Sequence, residues 1–321
     1  FTMRLDHFLS HHLKWRSRSS VQTLVKGGYV ELDVARPDAP DGTGERRVER
    51  RPGVRLQHGT RVFVRVPEQY RALLTGETSD ELDVLYEDRD CLAVNKPPLI
   101  AVHPSGRHMT DTLIQRVHKR FQAEIEGGAM LPRLCHRLDR ETSGIVLVGK
   151  RPATQGALTT QFEDRLVEKE YLAIVEGTPE KVEGSIDAPI RLSTTSPVEL
   201  EMTTAADGLP CQTDWRVEAS VGGYSRLRLR IHTGRQHQIR VHMAAIGTPI
   251  VGDKLYGPDR EIFLRSAAGT LTDWDREQLV IDRHALHSAR LVFRSPAADA
   301  PTCIESGLPG DLAEAFPQFA G

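Results

Sequence analysis

Apolar positions near the start of the chain recur at helical spacing. Leu5, Phe8, Leu9 and Leu13 share one face of a short helix. Val21, Leu24 and Val25 do the same for a second helix, which Ser17 or Ser19 can cap. Gly27-Gly28 can end it, because glycine enters the left-handed region without steric cost. Tyr29–Val34 then reads as a strand, Ala35–Gly53 as a loop rich in Pro, Gly, Asp and Arg, and Arg61–Val66 as a half-buried strand alternating arginine with Val and Phe. The polar stretch 67–82 has no period, and a linker is expected at 71–81. Beyond Leu82 the pattern changes to short β-rich runs. Leu92–Asn95, Ile145–Val148, Tyr171–Val175, Thr213–Glu218 and Leu227–Ile231 read as strands, and Thr110–Phe121 and Pro152–Arg165 as helices. The mixture predicts an α+β domain over 82–321, with a largely antiparallel mixed sheet flanked by helices and loops, preceded by a small α/β domain over 1–70.

Composition adds little until it is divided along the chain. The 321 residues carry a net charge of −2, yet residues 1–71 hold 14 Lys and Arg against 8 Asp and Glu. A basic module joined to a more acidic body is the reading. The four cysteines are far apart and form no CxxC pair, which fits free thiols rather than a disulfide framework or a zinc site. No apolar run is long enough to span a membrane, and the start FTMRLDHFL lacks the features of a secretory signal. A cytoplasmic monomer without membrane contact is therefore expected.

Several residues invite a chemical reading. The polar stretch His136–Ser143 runs through Gly144 into the apolar strand Ile145–Val148, placing Asp139 on a loop that enters a rigid element. Such an aspartate either caps the turn near Thr142 or does chemistry, and the residues alone leave both open. Tyr171 sits among Leu172, Ile174 and Val175, which suits a core tyrosine as well as a site residue. Arg240 can face solvent or pair with a carboxylate. His232, His237 and His242 recur every five residues, which on a strand alternates faces, and no metal is expected. HRLD differs from the kinase HRD by an inserted leucine, and no P-loop or dinucleotide fingerprint accompanies it. No cofactor is expected.

Taken together, LAVNKPPLIAVHPSG (92–106), HRLDRETSGIVLVGK (136–150), EKEYLAIVEG (168–177), HTGRQHQIRVHMAAIGTPIVGDKLYG (232–257) and ALHSARLVF (285–293) resemble the RluA family of RNA pseudouridine synthases in order and spacing. The resemblance covers residues 82 to about 297. It implies isomerisation of uridine in structured RNA, ribosomal more than transfer RNA, with base flipping and a catalytic aspartate at Asp139. It further implies that Arg240 pairs with that aspartate, that Tyr171 stacks on the base or acts on the sugar, and that Arg137 fills the gap left by the flipped base. Arg235 and His237 complete the expected RNA-facing set. Whether Asp139 attacks as a nucleophile or assists departure of the base is left open by the resemblance.

The start of the chain, RLDHFLSHHLKWRSRSSVQTLVKGGYVEL with PGVRLQHGTRVFV, resembles the small RNA-binding domain of ribosomal protein S-four. That likeness implies phosphate contacts from Lys14, Arg16, Arg18 and Lys26, giving salt-dependent affinity without base specificity. One stretch departs from the catalytic family's pattern: RLSTTSPVELEMTTAADGLPCQT replaces an arginine- and lysine-bearing segment. The competing readings are a non-catalytic RNA-binding or RNA-chaperone protein, and a cofactor-free hydrolase, for which the sequence offers no water-activating partner to Asp139.

Overall fold

The computed structural model describes residues 3–13, 18–34, 44–65, 78–104, 108 and 110–320. It divides into two compact units, one of residues 1–79 with 103–115, the other of 80–102 with 116–321.

In the first unit, helices Leu5–His12 and Arg18–Lys26 pack with a three-stranded sheet, β3-β2-β5, formed by β2 (Val30–Asp33), β3 (Arg47–Val48) and β5 (Arg61–Val64). β1 (Met3–Arg4) and β4 (Arg55–Leu56) form a separate ladder. Leu5, Leu9, Val21, Val25, Val30, Leu32 and Leu56 make the core, as the helical spacing predicts. Gly28, at φ 79°, ends the second helix. Three expectations change here. Ser19 lies inside that helix rather than capping it, while Ser17 is outside the described residues. The strands are shorter at their ends than expected. The expected loop 35–53 contains β3, which pairs Val48 with Glu31; a two-residue strand leaves too little alternation to recognise.

In the second unit, strands β6 (Val84–Glu87), β7 (Cys91–Lys96), β8 (Arg133–Leu134), β9 (Ser143–Gly149), β10 (Glu168–Glu176), β11 (Glu183–Asp187), β14 (Gln212–Val221), β15 (Tyr224–Ile231), β16 (Leu286–Phe293) and β17 (Thr302–Glu305) build one sheet. Its spine runs β11-β14-β15-β10-β16-β9-β7-β6, with β8 on β9 and β17 on β16. β12 (Ile190–Leu192) and β13 (Met202–Thr204) form a separate hairpin. Helix Pro152–Glu163 buries Leu158 against Ile145 and Leu147. Where the chain passes from residues of the first unit to those of the second, the helix expected over 110–121 runs Leu113–Arg120, with Asp111 at φ 53° ahead of it.

All described pairings in this sheet are antiparallel except β9 with β16. At that seam Gly144 lies opposite Ser288, and Ser288 lies opposite Tyr171 on β10. β9 therefore begins two residues before its apolar run. Gly144, at φ 107°, is pressed so close to Ser288 that a Cβ would sit 2.2 Å from the Ser288 carbonyl oxygen.

β15 alternates Leu227, Leu229 and Ile231 inward with Arg226, Arg228 and Arg230 outward. The outward arginines are paired across the sheet with Glu218, Glu170 and Glu168. Their charge is thus largely balanced by their neighbours.

Gly144→Ala combines a left-handed backbone with a main-chain clash and is expected to destabilise the fold by about 2–5 kcal/mol. Denaturant unfolding at neutral pH measures this; a loss under about 0.5 kcal/mol, the size of an indifferent surface change, contradicts the seam described.

Candidate active site

Asp139 lies between β8 and β9. The turn it enters is closed by the main chain: Thr142 N–H donates to the Asp139 carbonyl at 3.2 Å. The carboxylate is turned elsewhere, accepting from Arg240 Nη1 at 3.2 Å while one-fifth of the side chain stays exposed. Arg240 is buried and spends its other face on Asp253, with Nε to Oδ2 at 2.6 Å and Nη2 to Oδ1 at 2.8 Å. Asp253 is fully buried and also accepts the amides of Leu255 and Tyr256, each at 3.0 Å. One guanidinium thus serves two carboxylates, bidentate to the buried one and singly to the accessible one.

The electrostatics follow. Burial opposes ionisation of Asp139, but the charge and hydrogen bond of Arg240, helped by His237 and His284, together outweigh it and hold the carboxyl below the usual carboxylate range. The same contest holds Asp253 far below the usual carboxylate range. Burial, and then Arg240, push His237 down to about 4, so its ring is neutral near pH 7. Its Nδ1 lies 2.8 Å from the Tyr256 hydroxyl, whose oxygen already accepts the Met202 amide at 2.8 Å. Assigning the phenolic proton to that bond leaves the His237 proton on Nε2, 3.9 Å from Asp139 Oδ2.

Arg240 and His237 reach this position because GRQHQIR is a turn into a helix. The structure corrects the strand placement of the three histidines. His237, at φ 56°, is the N-cap of helix Gln238–Ala245, and His242 is buried within it, bonded to Thr213 and the Ala188 carbonyl. Ile239, Val241 and Met243 imitate strand alternation, but Gln238–Met243 is buried all round, so the period carries no facing information. His232 instead contacts Asp214 at 2.5 Å. Among the described residues, no three His, Cys, Asp or Glu side chains form a metal-binding group. Nor is any described helix long and apolar enough to cross a membrane.

A cavity of about 420 Å³ gathers Asp139, Tyr171, Arg240 and His237, walled by Leu138, Ile190, Met202, Leu209, Ile231 and Leu286. Tyr171 is 7% exposed, and burial raises its phenol well above the ordinary value, against the opposing pull of the Ser288 hydroxyl. The phenol is therefore protonated at neutral pH. Arg137 and Arg235 also line this cavity; Arg137 is exposed, and the buried Arg235 Nε has no hydrogen-bond partner among the described residues. Lys26 is exposed at the end of its helix in the other unit, whereas Lys14 and Arg16 fall outside the described residues, as does the Arg18 side chain.

Sequence reasoning missed the groups that brace the loop from behind. Lys96 Nζ donates to the carbonyls of Pro97, Ile100 and Arg140 at 2.8, 3.1 and 3.1 Å. Lys254 Nζ grips both Glu141 carboxylate oxygens at 3.0 Å. Thr142 Oγ1 meets His284 Nε2 at 2.7 Å. Asp253 and Tyr256 had one available signal, their position inside PIVGDKLYG, where an aspartate in a largely apolar run needs a partner.

A buried guanidinium thus holds an accessible aspartate in a cavity that a protonated tyrosine also lines. Residues 90–245 match the family described as RNA pseudouridylate synthase. The chain is 33% identical to the uncharacterized RNA pseudouridine synthase YlyB of Bacillus subtilis, over 97% of this chain and 92% of that one. It is 34% identical to an uncharacterized RNA pseudouridine synthase of Chloroflexus aurantiacus, over 96% and 87%. Among solved structures, human RNA Pseudouridylate Synthase Domain Containing 1 is similar at a TM-score of 0.57 and 27% identity, covering 75% of this chain and 90% of that one. The chain belongs to the RNA pseudouridine synthase family, as its resemblance to the RluA type implied, and is an isomerase.

Removing the charge of Asp253 leaves Arg240 buried with half its compensation. Asp253→Asn is expected to cost about 3–5 kcal/mol of stability at neutral pH. Because the folded carboxyl titrates below its unfolded value, this stabilisation is complete above the unfolded pKa of about 3.9 and fades as pH falls toward the folded value. The gap between wild type and variant should therefore narrow below about pH 4 in denaturant unfolding. Equal stability at neutral pH would refute the pairing.

Proposed function

We propose that this protein converts specific uridines of ribosomal RNA to pseudouridine, with Asp139 as the catalytic residue. The observation that carries this reading is the Arg240–Asp139 contact at 3.2 Å inside the 420 Å³ cavity. In the reaction the bond between ribose C1′ and N1 breaks and one between C1′ and C5 forms; the C5 proton leaves and N1 gains a proton, so nothing is oxidised or transferred. A carboxylate serves whether it attacks C1′ or assists departure of the base. Both routes need it ionised, which Arg240 secures.

Tyr171 supplies an aromatic face for the detached base, worth about 1–3 kcal/mol of stacking. Its raised pKa keeps the phenol protonated, which favours stacking and hydrogen-bond donation over a role as base. The exposed Arg137 takes the place of the flipped uridine, since a guanidinium can stack on bases while meeting phosphate. Arg235 and His237 hold the nucleotide at the cavity mouth.

Ribosomal RNA is favoured by 28% identity to "Ribosomal large subunit pseudouridine synthase D" of Zymomonas mobilis, over 96% of this chain and 91% of that one. In this reading a small N-terminal domain over 1–70, joined by a linker at 71–81, binds RNA phosphates. Its charge surplus and exposed Lys26, Arg46, Arg50, Arg55 and Arg61 support this, with Lys14, Arg16 and Arg18 as the other phosphate contacts proposed.

Incubation with RNA carrying tritium at uridine C5 tests the reading. Wild type should release tritium from ribosomal RNA of cells lacking the gene, and Asp139→Asn should still bind that RNA while its rate falls by about 10³-fold or more. Tyr171→Phe, which retains the ring, should keep a larger share of activity than Tyr171→Ala. Turnover by Asp139→Asn at the wild-type rate removes Asp139 from its role. Binding without release by the wild type would instead favour a non-catalytic RNA-binding protein.

A further inference from the structure

We infer that Arg283 and Asp311 are a positioning pair through which the C-terminal segment sets the loop carrying Asp139. The inference rests on the reading of Asp139 given above. Arg283 is 3% exposed and lies behind the loop, facing a second hollow of about 790 Å³ away from the Asp139 cavity. Its Nε and Nη2 donate to Asp311 at 2.6 and 2.9 Å. Its Nη1 reaches three carbonyls, Glu141 at 3.3 Å, His284 at 3.1 Å and Leu286 at 3.3 Å.

Those three carbonyls belong to the two segments that meet at the seam. Glu141 lies two residues after Asp139, and Leu286 opens β16, whose Ser288 packs on Gly144 and pairs with Tyr171. A planar guanidinium with donors on both sides suits this task; an ammonium cannot span both sides at once. Asp311 is nearly half exposed but stands on a short helix anchored by Leu312, Phe316 and Phe319, all at most 2% exposed. The Phe316 ring meets Tyr224 edge-on, with centroids 5.3 Å apart. Asp311 thus fixes Arg283, and Arg283 fixes the main chain beside Asp139. Catalysis is sensitive to such placement, since a shift of about 1 Å can cost about a hundredfold in rate.

The test uses the full chain carrying Asp311→Asn, Asp311→Glu or Arg283→Lys, with the exposed Glu314→Gln as control. Two readouts are needed. Amide hydrogen exchange over residues 137–144 reports the loop directly, and steady-state tritium release separates kcat from KM. Asp311→Asn and Arg283→Lys should speed exchange in the loop, leave strand 145–149 protected, and lower kcat about ten- to a hundredfold with KM within about twofold. Asp311→Glu should recover most of kcat, and Glu314→Gln should change neither readout. Unchanged loop exchange with faster exchange only over 310–320 would show that the pair merely holds the tail and would overturn the inference. Should wild type release no tritium, the functional reading fails, while loop exchange still decides whether the pair sets the loop.

Discussion

The candidate site is arranged around the buried cation of Arg240. Arg240 cannot be taken out of water without compensation. Asp253 supplies it twice over, through charge and through a bidentate geometry that fixes the guanidinium plane. Only then is the remaining Nη1 available, in a set direction, for Asp139. The accessible carboxylate is thereby held ionised in a cavity whose burial alone would favour its neutral form. Tyr256 lies against the same cation at 5.0 Å and links it to His237, and through the Met202 amide to the β12–β13 hairpin that lends Ile190 and Met202 to the cavity wall.

The loop itself is held residue by residue. Arg240 takes the Asp139 carboxylate, Lys96 the Arg140 carbonyl, Lys254 the Glu141 side chain, and His284 the Thr142 hydroxyl. Four neighbours along the chain are therefore tied to four distant segments. This is how a loop attains the precision usually found on strands, and it lets the residue proposed to be catalytic sit outside regular structure. The parallel seam adds to this by bringing Gly144, Ser288 and Tyr171 into adjacent register.

How far the sequence revealed this depended on range. The strand period of Ile145–Val148 and the polar loop before it were readable because both are local, and the motif likeness pointed to Asp139, Tyr171 and Arg240 together. Ser143 and Gly144 read as loop, since nothing local says that a missing Cβ permits close pairing with Ser288. The helix bearing Arg240 was obscured because burial on every side erases the facing signal. Arg283 and Asp311 are 28 residues apart, and Lys96 and Arg140 are 44 apart, so no spacing rule joins them. Lys14 and Arg16, proposed from sequence likeness to bind RNA, lie outside the described residues.

Asp139 in this setting is the residue proposed to make pseudouridine. Chemical mapping of pseudouridines in ribosomal RNA tests it most directly, comparing cells that have the gene, cells that lack it, and the latter restored with wild-type or Asp139→Asn protein. The account predicts positions that vanish on deletion, return with the wild type and stay absent with Asp139→Asn. Identical maps in all four strains would contradict it.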